Sequence, residues 1–242
     1  MAGIFGIGGG TIIVPLLVSL GLNPIQAVGT STITICFAAS SGTWHNWRTG
    51  NLDGRIILGL GLPAIFCAQV GVWLAQAIPP RVLIWGFAGY LVVNAYMVQL
   101  RASLAKLARE QQQDQPLPRN KVWQEWVIGA IAGVLSGLFG VGGGVVLVPL
   151  QVILLEAPIK PAIRHSLGAV MIIGIAGCLG HSLSGNVRWL EGLALAGLSV
   201  LGAQIGTRIL VHLRDRFVSL ALTVYLLTLA VYMLYQGIVA VS

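Results

Sequence analysis

The chain has 242 residues, of which 56% are hydrophobic and only 9% charged, and its mean hydropathy is +0.87. So few charges cannot cover a water-soluble globule of this size, so the solvent of the fold is lipid. The formal net charge of +7 does not point to nucleic acid, because Lys and Arg sit at the ends of apolar segments and in one polar stretch and form no basic stripe.

A bilayer core about 30 Å thick needs roughly 20 residues of helix to cross it. The chain opens on a shortened apolar segment at 1–20, which holds a glycine cluster and no basic residue, so it reads as part of the fold and not as a cleaved leader. Seven longer apolar segments follow, at 24–43, 56–78, 82–100, 126–155, 161–184, 190–211 and 215–239. Between the third and fourth lies the only long polar stretch, residues 101–121 (RASLAKLAREQQQDQPLPRNK). Its Gln, charge and two Pro predict an extramembrane linker, opening with a short surface helix. Cys36, Cys67 and Cys178 all fall in apolar segments without CxxC spacing, so neither a disulfide framework nor a zinc site is expected.

The chain repeats itself. Residues 2–16 (AGIFGIGGGTIIVPL) match residues 136–150 (SGLFGVGGGVVLVPL) at a constant offset. The register then persists: Gly50-Asn51 pairs with Gly185-Asn186, the stretch from Ala68 to Gly71 with that from Ala203 to Gly206, and Tyr96-Met97 with Tyr232-Met233. Residues 1–100 therefore form a first repeat, 101–121 the linker and 122–242 a second repeat. The second repeat has Trp126 to Leu135 ahead of its motif where the first has almost nothing, so the natural N terminus is expected to lie further upstream.

Basic residues bear on topology. If the glycine-centred segments at 1–20 and 126–155 both span, the Lys and Arg divide almost evenly between the two sides. If both are re-entrant, Arg48, Arg55, Arg101, Lys106, Arg109, Arg119, Lys121, Lys160, Arg164, Arg208, Arg214 and Arg216 share one face, leaving Arg81 and Arg188 opposite. The preferred fold is an all-α polytopic membrane protein of two homologous halves related as inverted repeats, each with a glycine-broken re-entrant or discontinuous helix and three transmembrane helices. The linker is then cytoplasmic and the C terminus periplasmic. Broken backbone at membrane depth is tolerated where it is buried in protein or lines a wet cavity, and inverted repeats commonly bind solute where such elements meet.

Gly8, Gly9 and Gly10, and Gly142, Gly143 and Gly144, each precede an apolar helix, so freed N–H groups at a helix start, with the helix dipole, make an anion site. Close helix packing is the competing explanation. A Rossmann or Walker reading fails, since no strand precedes and no Lys follows either motif. Thr30 and Ser31, with Ser166 in the other half, offer hydroxyls to an oxyanion, or back-bond to carbonyls. Gln69 and Gln204 are matched amides within apolar helices and can bind solute or bond between helices. His181, aligned with Asn46, is a candidate proton-sensitive residue, although a His near a span end often caps or packs. Arg208 is a weaker candidate, since snorkelling to the surface explains it. Every acid falls in a loop or at a span end, so no mid-membrane carboxylate is at hand for a proton or cation.

The doubled FGIGGGTIIVPLL and FGVGGGVVLVPLQ motifs, the VGTST segment and the GAQIGTRI stretch resemble the TauE/SafE family of membrane permeases over essentially the whole chain. The resemblance implies a bacterial inner-membrane carrier for sulfite, sulfonates or related organosulfur anions. Where that family commonly has Gly-Thr-Ser in the second half, this chain has Arg164-His165-Ser166. The resulting expectation is a secondary transporter exporting a small sulfur-containing anion by alternating access, with no metal or organic cofactor. A channel-like anion pathway and a non-transporting membrane partner protein stay open, and an enzyme is disfavoured by the want of a nucleophile, base and acid together. The expected partners are a small anionic solute and the lipid bilayer, with a homodimer left open and nucleic acid not expected.

Overall fold

The computed structural model describes residues 10–48, 52–110, 121–210 and 215–239, and for 45, 101–102, 104–110, 160, 201–210, 215–218 and 239 only the backbone course. Every element within them is an α-helix: α1 Gly10–Ser19, α2 Pro24–Arg48, α3 Gly54–Ala77, α4 Pro80–Glu110, α5 Val122–Phe139, α6 Gly144–Leu154, α7 Ile159–Leu183, α8 Trp189–Leu210 and α9 Asp215–Val239. The boundaries have local causes. Pro24 and Pro80 open α2 and α4, where a missing N–H costs nothing. Asp53 caps α3 by accepting from the Arg55 N–H at 3.0 Å. Helix α4 continues the third apolar segment as far as Glu110, and the rest of the expected linker, 111–120, lies outside the described residues.

Contacts between helices establish direction. Gly129, Gly133 and Gly137 on α5 lie against the backbone of Leu60, Ala64 and Ala68 on α3, so the two helices run parallel. A Cβ at Gly133 would stand 2.5 Å from the Ala64 carbonyl oxygen, so the absent side chains permit backbone-to-backbone packing. Helix α7 is also parallel to α3, with Gly61 against Ile172, Gln69 Nε2 donating to Ala176 O at 2.8 Å and Gln76 Nε2 to Ser184 Oγ at 2.7 Å. Helix α2 runs against α7, since Gly42 meets Leu167, Gly174 meets Cys36 and Gly29 meets His181. Helix α4 likewise runs against α9: Gln99 Nε2 donates to Thr223 Oγ1 at 2.9 Å, and Gly237 packs on Trp85.

The bundle therefore has two ends. One gathers the start of α3, α5 and α7 with the end of α2; the other gathers the end of α3 and α7 with the start of α2, α4 and α8. The long apolar segment 126–155 is broken in two. Helix α6 returns to the end where α5 began, because Lys121 Nζ, at the foot of α5, donates to Leu154 O at 3.3 Å and pairs with Glu156 at 2.9 Å. The pair is a hairpin, and every residue from Phe139 to Pro149 is buried. That burial is what non-regular backbone at membrane depth requires. Helix α1 begins beside the hairpin tip, with Gly10 against Gly140 and Val141, and runs the opposite way to α6.

Among the described residues, five helices are long and apolar enough to cross a membrane: 54–77, 80–100, 122–139, 161–183 and 219–238. All seven Trp are exposed, and each lies near the end of its helix. Trp44, Trp47, Trp123 and Trp126 ring one end of the bundle and Trp73, Trp85 and Trp189 the other, as expected of indoles at two lipid interfaces. Arg48 lies 5.3 Å above the Trp44 ring at the first of these belts.

Candidate functional site

The hairpin tip is built by glycine. Gly140, Gly142 and Gly143 have φ of 63°, 80° and 67°, a left-handed conformation that side chains disfavour. Gly140 ends α5 with its N–H on Ser136 O at 2.7 Å, and Gly143 caps α6 by accepting from Val146 and Leu147. Between these bonds the N–H groups of Gly142, Gly143, Gly144 and Val145 meet no acceptor among the described residues. Free N–H groups at a helix start preceded by left-handed glycines form an anion-binding concavity.

The walls of the tip come from three helices. Ser31 Oγ on α2 lies 2.7 Å from Gly140 O and 2.6 Å from Val28 O. Gly142 faces Ile35 of α2 and Val170 of α7, while Gly143 rests on Ala132 of α5. Ser136, one turn beyond Ala132 on the same face of α5, is fully buried and its hydroxyl has no partner.

The expected site residues divide accordingly. Gly10, Gly142, Gly143, Gly144 and Ser31 converge at the tip. Thr30 is fully buried on α2 but turns to the loop after α7, accepting from the Arg188 N–H at 3.1 Å. Ser166 is fully buried one turn from Val170, and its hydroxyl back-bonds to Ile163 O at 2.9 Å. His181 is fully buried with Nε2 2.9 Å from Gly137 O. A carbonyl can only accept, so Nε2 carries the proton, and the unpartnered Nδ1 is an acceptor in the neutral ring. Gln69 lies on the exposed face of α3 and spends its amide on α7, away from the tip. Gly8 and Gly9 lie outside the described residues, as do the side chains of Gln204 and Arg208. Of the replaced triplet, His165 is buried near the start of α7 with Nε2 accepting from the Asp53 N–H at 3.4 Å, away from the tip.

Three polar groups missed in the sequence stand next to this site: Ser136, Tyr90 and Asn94. Asn94 had a signal, since an amide in the middle of an apolar run is expensive in lipid. Ser136 had none, because Ala2 occupies its place in the first repeat.

The profile of the family described as Sulfite exporter TauE/SafE matches residues 1–233. The chain belongs to the TauE/SafE family. It is 26% identical to the probable membrane transporter protein YunE of Bacillus subtilis, over 97% of this chain and 93% of that protein. It is 29% identical to the probable membrane transporter protein YdhB of the same organism, over 85% and 83%. An archaeal relative, the probable membrane transporter protein MJ0441 of Methanocaldococcus jannaschii, is 23% identical over 83% and 74%. No solved structure matches the chain significantly. This TauE/SafE protein is thus a helical membrane protein of a transporter family, and the hairpin tip is its candidate solute site.

Proposed function

We propose that this TauE/SafE protein is a secondary transporter that exports a small sulfur-containing anion, binding it at the hairpin tip and exposing it alternately to the two sides. The observation that carries this reading is the row of unpaired N–H groups from Gly142 to Val145, buried at the start of α6 and flanked by the hydroxyls of Ser31 and Ser136. Buried donors with no acceptor are costly, and an oxyanion is the ligand whose oxygens satisfy several of them at once.

The two halves are proposed to be inverted with respect to each other. The opposite courses of α1 and α6, of α2 and α7, and of α4 and α9 support this, because each pair occupies equivalent positions in the repeats. The end bearing Arg48, Arg55, Lys121 and Arg164 is assigned to the cytoplasm and that bearing Arg81 and Arg188 to the periplasm. The linker is then cytoplasmic and the C terminus periplasmic, in the bacterial inner membrane. Efflux of an anion from a negative interior is favoured by the membrane potential alone.

Counterflow of radiolabelled sulfite and sulfonates into proteoliposomes tests the reading. Saturable exchange is expected, reduced at least tenfold in Gly143→Val, with Ser136→Ala as the variant that leaves backbone packing intact and weakens exchange several-fold. Saturable exchange unchanged in both variants would remove the tip from the pathway, and non-saturating flux would make the protein a channel.

A further inference from the structure

Helix α4 crosses the bundle as an apolar run that carries an amide, Asn94, well inside it; a second, Gln99, lies near the end of the run and is paired with Thr223. The Asn94 side chain is fully buried, and apart from the neighbouring Tyr90 hydroxyl neither Nδ2 nor Oδ1 has a hydrogen-bond partner. Tyr90, one turn earlier on the same face, is 5% exposed, and its hydroxyl meets the Asn94 side chain and no other partner. The Tyr90 ring stacks on Phe139 with centroids 5.0 Å apart and planes at 18°, and Phe87 meets the same ring edge-on at 5.9 Å. Phe139 is the last residue of α5 before the break, three residues beyond the unpaired Ser136 hydroxyl. Two helices thus bring three polar side chains with unused hydrogen-bonding capacity to one region below the tip: Ser136 one turn before Phe139, Tyr90 stacked on Phe139, and Asn94 beside Tyr90.

Packing does not explain them. In the second repeat, the register that pairs Tyr96 with Tyr232 places Leu226 opposite Tyr90 and Ala230 opposite Asn94. Both are buried in the same apolar core as Tyr90, so the architecture is satisfied by aliphatic side chains at these positions. An amide buried at membrane depth with its hydrogen bonds incomplete is destabilising relative to an apolar residue of its size. A solute that supplies the missing partners accounts for it.

We propose that Asn94 and Tyr90 form the specificity wall of the solute site, and that this wall selects a monoanion carrying its own hydrogen-bond donor, as a hydroxyalkyl sulfonate does. The inference rests on the transport reading above. The Asn94 amide N–H and the Tyr90 and Ser136 hydroxyls donate to solute oxygens, while Asn94 Oδ1 can only accept. That oxygen repels a bare oxyanion and welcomes a solute hydroxyl. No described Lys or Arg lies between the two ends of the bundle to neutralise a second negative charge. A dianion without a donor is therefore excluded twice over, by charge and by the Asn94 Oδ1.

The test is counterflow in proteoliposomes with 2-hydroxyethanesulfonate, ethanesulfonate and sulfate, on wild type, Asn94→Leu and Tyr90→Phe, with thermal unfolding of each purified protein. Wild type is expected to prefer the hydroxylated sulfonate over ethanesulfonate by about tenfold, the worth of one buried hydrogen bond, and to reject sulfate. Asn94→Leu is expected to abolish that preference while matching or exceeding wild-type thermal stability, an outcome a merely structural amide would not produce. Tyr90→Phe keeps the stack on Phe139, should reduce the preference several-fold, and decides the matter if Asn94→Leu fails to insert. A preference that survives in both variants, or a wild type that exchanges both sulfonates equally, overturns this inference and leaves the transport reading standing. Absence of saturable exchange of sulfite or any sulfonate by wild type overturns both.

Discussion

Ser31 has one proton and two carbonyl oxygens within reach, that of Val28 in its own helix and that of Gly140 in the hairpin. The second contact fastens α2 to the tip, whereas Thr34, close by on the same helix, bonds only backward to Ser31 O at 2.6 Å. Ser31→Ala is therefore expected to lower stability by about 1 kcal/mol, and Thr34→Ala by less than half as much, because its bond competes with the helix's own carbonyl pairing. Denaturation of the two variants in mixed micelles compares them directly. Neither hydroxyl's role was legible in the sequence, where Thr30, Ser31, Thr32 and Thr34 read as one cluster; all four are buried, and only the partner that each hydroxyl meets separates them. Gln69 was ambiguous for a related reason. In lipid both the core stripe and the outer stripe of a helix are apolar, so periodicity alone does not say which one an amide joins. Phe66, Val70 and Trp73, all strongly exposed, place Gln69 on the outer one.

Among the helices, the contact between α3 and α5 depends most directly on composition. Gly129, Gly133 and Gly137 recur every fourth residue, so they form one ridge without side chains, and Ala64 and Ala68 present a matching ridge on α3. Gly133→Ala is expected to cost about 1–3 kcal/mol, since its methyl must push two backbones apart. Gly89→Ala on α4 meets nothing within 4 Å and is expected to stabilise by about 0.5–1 kcal/mol through lower helix-forming cost. A thermal-shift comparison giving both variants the same sign would deny the close packing. Most helical segments were legible, because the runs at 24–43, 56–78, 161–184, 190–211 and 215–239 each became one helix within a few residues of the expected limits, whereas that at 82–100 continues to Glu110 and that at 126–155 is broken in two. The break after Phe139 was also legible from the doubled glycine cluster. Its partners were not, since the contacts of Gly142 with Ile35 and Val170 join residues far apart in sequence and no local pattern encodes them.

For the molecule as a whole, the decisive matter is which faces of the membrane residues 121, 156 and 184 occupy. A segment that crosses the bilayer separates its ends; a hairpin returns them to one side. Lys121 and Glu156 form an ion pair at 2.9 Å, so the second-half hairpin keeps both ends at the same interface, that of Trp123 and Trp126. Ser184, at the far end of α7, lies with Gln76 near the opposite belt. In a protein whose Cys36, Cys67 and Cys178 are replaced by Ala, single substitutions Lys121→Cys, Glu156→Cys and Ser184→Cys report these faces to a membrane-impermeant maleimide. In whole cells only the cysteine at 184 is expected to react, and in inverted vesicles only those at 121 and 156. Reaction of 121 and 156 from opposite sides would mean that the glycine segment spans, and the two halves would then be arranged in parallel. Reaction of 121 and 156 together from outside would keep the hairpin but reverse the protein in the membrane. In that event the row of basic residues at the α3, α5 and α7 starts would face the periplasm, and the charge distribution would no longer support the assignment of the direction of export.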